Sequence, residues 1–279
     1  MVKGMGAIFP AGYRQPTLSD GQQAAIADDD QALKRLLDRR GFRYKDAATR
    51  LAAAASLLAL RDAGWLGSTV EPINDPDFGV VAASCFGNAD TVLDSFDVLR
   101  RETVQGLSPM NLPNASPNVV ASTLALWFGA KGPNLFFAQG PTSGLDSLMI
   151  GARLIRAKRA TRVLVCAAES EQPRLSDWLR SHGESAPFSH AVALALAASA
   201  GETGIAIEPG GAPSLAEVVH VQPTLLPSSE GGFHSTTGLL LAIEQLVRLR
   251  QGAAQTLDVS MFPRNGHGAR LVLRSVTSS

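Results

Sequence analysis

Two hydroxyls, an amide and a carboxylate crowd one short run, Ala138-Gln139-Gly140-Pro141-Thr142-Ser143-Gly144-Leu145-Asp146. Such a set suits acyl transfer. A hydroxyl attacks a carbonyl, and backbone N–H groups hold the oxyanion that forms. A hydroxyl also needs a base, and the run contains none. The histidines are His182, His190, His220, His234 and His267. His234 precedes an apolar helical pattern, and His267 sits in the turn Asn265-Gly266-His267-Gly268. These two are the candidate bases. The others have no partner at useful spacing and read as structural. A thiol would be a better nucleophile, but the two cysteines, Cys85 and Cys166, both lie outside the run. Cys166 falls within an apolar stretch and reads as a small buried hydrophobe. Two distant cysteines give neither a disulfide framework nor zinc-ligand spacing, so no metal is expected.

The elements that must position these groups are legible around them. Leu135 to Ala138 is a short apolar strand with adjacent phenylalanines. Leu145, Leu148, Met149, Ala152 and Ile155 recur at helical spacing, which predicts a helix over Ser143 to Arg156. Arg162 to Ser170 is a second apolar strand. Strand, helix, strand is a βαβ unit with parallel strands. The corner between the first strand and the helix has the layout of a nucleophile elbow. Pro141 occupies its centre. Proline has no acidic side chain, fixes φ near −65° and lacks an N–H. It can neither attack nor donate to an oxyanion.

Further elements follow from the same patterns. Val2 to Phe9 is a glycine-containing strand, and the acidic run Asp28-Asp29-Asp30 reads as a solvated helix start. Tyr44 to Ala63 is an alanine-rich helix stopped by Gly64, and Phe78 to Ser84 is a strand. A helix is expected over Thr91 to Val104 and another over Val119 to Trp127. Ala191 to Ala198 alternates as a strand. Beyond it, a strand over Ala216 to Leu226, a helix over Gly238 to Arg250 and closing strands over Leu257 to Met261 and Ala269 to Arg274 are expected.

The chain has 279 residues, 45% hydrophobic and 18% charged, which is ample for one large α/β core. Lys+Arg and Asp+Glu are equal at 25 each, so bulk charge offers nothing to nucleic acid. The apolar run Leu51 to Leu60 is too short to span a bilayer, and the N-terminus does not read as a signal peptide. A cytoplasmic protein without membrane or nucleic-acid partners is the expectation.

Ser143-Gly144-Leu145-Asp146, followed by Arg162-Val163-Leu164-Val165-Cys166-Ala167-Ala168-Glu169, resembles the β-ketoacyl synthases. The segment Ser108 to Asn118, then Phe128-Gly129-Ala130-Lys131-Gly132-Pro133, is similar to the same family. The resemblance implies an α/β, thiolase-like fold layered α-β-α-β-α. Residues 1–279 form a single domain, with 1–200 as the first half and 201–279 as an abbreviated second half. It also places the family's catalytic cysteine at Pro141. Of the two further histidines such enzymes use, one turn is missing and the other is loosely echoed by Gly232-Phe233-His234-Ser235-Thr236-Thr237-Gly238. His234 is either a remnant or a bystander beside a Ser235 or Thr236 helix cap.

Scaffold kept and nucleophile lost resembles the chain length factors, the cysteine-less partners of type II polyketide and aryl polyene ketosynthases. That implies a heterodimer with a catalytic ketosynthase, service by an acyl carrier protein through the complex, and no cofactor. Many such subunits carry glutamine at the cysteine position; here Gln139 falls two residues earlier. Met110, Leu112, Leu126, Trp127, Phe128, Phe136, Phe137, Gln139 and Thr142 are the tunnel or interface candidates. Two other readings stay open. One is a stand-alone acyltransferase using Thr142 or Ser143 with His234 or His267. The other is a thiolase-fold regulatory or interaction protein.

Overall fold

The computed structural model describes residues 1–16, 18–140, 142–183, 186–198, 204–209, 239–240, 242–243, 245–246, 256–261 and 269–276. Pro141, His220, His234, His267 and the strand expected over Ala216 to Leu226 lie outside them.

A sheet of six strands is the frame. Its order is β2 (Gln23–Ala24), β1 (Val2–Ile8), β6 (His190–Ala197), β5 (Arg162–Glu169), β3 (Phe78–Ala83), β4 (Asn134–Phe137). Strands β3, β4 and β5 run parallel, and β6 runs antiparallel to both β5 and β1. The expected βαβ unit is present, but its two strands are not neighbours, because β3 lies between β4 and β5.

The two faces of the sheet carry different side chains, and this decides what packs on each. Ala82, Cys166, Ala168, Ala191 and Ala193 give one face small residues. Helix α2 (Ala47–Asp62) settles there, across β1, β5 and β6. The approach is closest at β1. A Cβ on Gly4 or Gly6 would be driven into the backbone of Ala59 or Ala55, so those positions admit only glycine. Helix α1 (Asp30–Leu37) packs on α2, capped by Asp29, whose carboxylate accepts from the Gln31 and Ala32 N–H groups at 2.9 Å. Helix α4 (Val119–Phe128) completes this layer against α2, β3 and β4.

The other face presents Val81, Val163, Val165, Val192, Leu194 and Leu196. Helix α5 (Ser143–Arg156) buries Leu145, Leu148 and Ala152 on it, over the span its periodicity predicts. Leu239, Leu240, Ala242, Ile243 and Leu246, all helical, join the same core. Beyond α5 lies an antiparallel sheet of order β7 (Gly204–Pro209), β9 (Ala269–Val276), β8 (Thr256–Met261), with β7 and β9 against the helix. Helix, sheet, helix, sheet is the order of four successive layers of the α-β-α-β-α arrangement of a thiolase-like fold.

Most boundaries expected from sequence shift by a residue or two. Helix α2 starts three residues late because Asp46 caps it, its carboxylate accepting from the Thr49 N–H at 2.9 Å and hydroxyl at 2.6 Å. Helix α3 (Ala89–Glu102) ends early, before Thr103 at φ 61°. Strand β7 and helix α6 (Pro173–Ser181) had no counterpart in the sequence reading.

Candidate functional site

Because β3, β4 and β5 are parallel, their carboxyl ends share one edge of the sheet. Ala83 is level with Phe137 and Ala167. Three segments leave that edge together: residues 84–88 after β3, the corner 138–142 after β4, and residues 170–172 after β5. In parallel α/β sheets this is the edge that binds ligands.

The corner is closed by Ser143 rather than by a nucleophile. The Ser143 hydroxyl oxygen accepts from the Gln139 N–H at 2.8 Å, and the Ser143 N–H donates to the Gly140 carbonyl at 3.1 Å. Gly140 makes the turn at φ 95°, in the left-handed region open to glycine. Thr142 occupies the N-cap position, but its side chain caps no N–H. Its buried hydroxyl bonds the Asp146 carboxylate, half-buried one helical turn on. Burial pushes the Asp146 carboxyl above its ordinary value, and the Thr142 bond pulls it partly back. Both hydroxyls are therefore engaged locally, and neither has a basic side chain as partner among the described residues.

Glu169, absent from the sequence candidates, organises the loop beside the corner. It is fully buried at the end of β5. Its carboxylate accepts from the Ser84 hydroxyl at 3.0 Å, the Cys85 N–H at 2.6 Å and the Phe86 N–H at 3.4 Å. The Ser84 oxygen in turn accepts from the Gly87 N–H at 2.7 Å. Gln172 clasps the loop from its far side, donating to the Gly87 carbonyl at 3.1 Å and accepting from the Asp90 N–H at 2.9 Å. A buried carboxylate surrounded by donors is a fixed structural anchor.

The tunnel and interface candidates divide by environment. Phe128 is fully buried in the core shared with α2, so it is a packing residue first. Trp127 and Phe136 are partly buried against that core, and Phe137 against the opposite one. Met110, Leu112 and Leu126 are exposed, Leu126 at 78%. Gln139 is exposed at the corner. Strand β4 forms the edge of the sheet, with Leu135 exposed beside Leu126's helix.

Neither described histidine serves the corner. His182 lies on the Trp178 ring with Nδ1 at 2.8 Å from the Trp178 carbonyl. His190 is buried, stacked on Phe188 with Nδ1 at 2.9 Å from the Phe188 carbonyl. Cys166 is sealed in the core, and burial pushes its thiol up to about 12. Cys85 is half-buried. Among the described residues, no group of three or more His, Cys, Asp or Glu side chains is placed to hold a metal. No helix there is long and apolar enough to cross a membrane.

This layered fold is shared with solved ketosynthases. The ishigamide ketosynthase/chain length factor superposes with a TM-score of 0.68 at 20% identity, over 99% of each chain. A ketosynthase in complex with its chain length factor from Xenorhabdus doucetiae gives 0.58 at 17%, over 98% of each. Residues 2–186 match the model of the beta-ketoacyl synthase N-terminal domain, and the chain belongs to that family. It is 26% identical to the 3-oxoacyl-[acyl-carrier-protein] synthase 2 of Coxiella burnetii over 52% of this chain and 34% of that protein. It is 31% identical to the granaticin polyketide putative beta-ketoacyl synthase 1 of Streptomyces violaceoruber over 47% of this chain and 32% of the other. The chain thus spans about a third of the length of the curated relatives it matches.

Proposed function

We propose that this chain is a non-catalytic ketosynthase-like subunit, a chain length factor, that pairs with an active β-ketoacyl-ACP synthase in type II polyketide or polyene biosynthesis. Residues 1–200 supply the ketosynthase-like half, and 201–279 belong to a second one. The observation that carries the reading is Pro141. The strand and helix around it are kept, the Ser143 bond still closes the corner, and the residue where the family needs a thiol has no reactive atom. The engagement of Thr142 and Ser143 in local bonds supports the same reading against a hydroxyl nucleophile.

In this role the chain is a wall. The partner holds the growing acyl group on its own cysteine, and an acyl carrier protein delivers to that partner in the cytoplasm. The exposed edge of β4 with Leu135, and Leu126 on α4, suit an apolar contact with the partner. Met110, Leu112 and Trp127 are the residues to limit product length. Shrinking Met110 to alanine should lengthen the products of the reconstituted pair.

Co-expression with a ketosynthase from the same gene cluster, followed by size-exclusion chromatography, tests the pairing. A stable heterodimer is expected. Separate elution of the two chains at micromolar concentration would contradict the proposal.

A further inference from the structure

We propose that Asn88 is a positioning residue that sets where the wall segment 111–118 stands, and thereby product length. This rests on the reading of the chain as a tunnel wall. The segment is not held by apolar burial. Its 3-10 turn, Leu112–Ala115, buries one residue, Asn114, while Leu112 and the preceding Met110 face solvent. Hydrogen bonds hold it.

Asn88, only 9% exposed, donates through its side-chain amide to the carbonyls of Asn114 and Ser116, the latter at 3.1 Å. The Asn114 amide donates onward to the Tyr44 carbonyl. Asn88 is itself fixed by its neighbours, because Cys85 and Phe86 are bonded to Glu169 and Gly87 to Ser84 and Gln172. A path of hydrogen bonds, joined through the backbone of residues 84–88, therefore runs from the sheet edge at Glu169 to the segment that carries Leu112. Asn88 is the link that crosses from one loop to the other.

The chemistry of that link is restrictive. Both acceptors are carbonyls, so only a side chain with two N–H donors satisfies them. Aspartate has the same shape but would turn carboxylate oxygens toward carbonyl oxygens. Serine keeps the site small and polar and offers one donor. Asn88→Asp and Asn88→Ser thus separate loss of the link from loss of volume, and the serine variant is the fallback where the aspartate variant does not fold.

The test uses the full chain co-purified with its ketosynthase. Amide hydrogen exchange is read over 111–118, and product length is read by mass spectrometry with malonyl-loaded carrier protein as extender. Losing these two hydrogen bonds, one buried and one half-buried, should speed exchange across 111–118 by roughly tenfold or more. Product length should shift or broaden, while the rate of the first condensation stays within about twofold of wild type. Wild-type exchange in both variants would overturn the inference. So would faster exchange with unchanged product lengths, and either result would leave the supporting-subunit reading standing. A wild-type pair that neither assembles nor condenses would remove that reading, and the inference with it.

Discussion

Pro141 and the groups around it define what this corner can do. Covalent chemistry alone decides this: a ring-closed residue between Gly140 and Thr142 offers no nucleophile in any conformation. Three predictions belong at this scale. Asp146 has its carboxyl raised by burial, so its favourable contribution is complete below the unfolded value near 3.8 and is lost as pH rises through the folded value. Asp146→Asn should therefore be more stable than wild type at pH 7, with the gain vanishing toward pH 3. Urea melts at both pH values measure it, and a variant weaker at pH 7 would show that the Thr142 bond outweighs burial. Glu169→Gln turns an NH₂ group toward backbone donors and should cost about 2–4 kcal/mol of unfolding free energy. Iodoacetamide at pH 8 should label Cys85 and spare Cys166, whose thiol burial raises to about 12, until the protein unfolds.

At the scale of elements, much was readable where periodicity and burial agree. Helix α5 matches its expected span residue for residue because its apolar stripe faces one sheet, and β5 and β6 lie within a residue of expectation. Helix α4 was placed correctly, but its orientation was not legible. It is apolar all round, so no stripe says whether Leu126, Trp127 or Phe128 turns inward; packing against α2 chooses Phe128 and leaves Leu126 outside. Helix α6 was missed because it is short, starts on Pro173 and is largely polar. The Glu169 anchor had no local signature, since its partners lie more than eighty residues earlier in the chain. The sequence shows β1 only as a glycine-containing strand, and the structure supplies the reason for its glycines in the backbone of α2. Gly6→Ala should consequently cost about 3 kcal/mol or more, through overpacking at a rigid backbone contact. A large drop in soluble yield or melting temperature is the expected result, and a melting temperature within a degree or two of wild type, roughly no change in ΔG, would be inconsistent with that contact.

Under the proposed function, the surfaces of this layered frame matter more than any reactive atom among the described residues. The sheet edge at β4 and the exposed leucines beside it place the proposed contact with a ketosynthase next to the corner that lacks a thiol. Leu135→Lys should weaken pairing without lowering the stability of this chain alone, because Leu135 is already 38% exposed. Native mass spectrometry of the mixture, beside a thermal melt of the single chain, separates the two effects. The most direct measurement is the condensing activity of three samples with malonyl-loaded carrier protein: the ketosynthase alone, this chain alone, and the two together. Extended polyketide is expected from the pair and none from this chain by itself. Condensation by this chain in isolation, or a ketosynthase whose products are the same with and without it, would contradict the account.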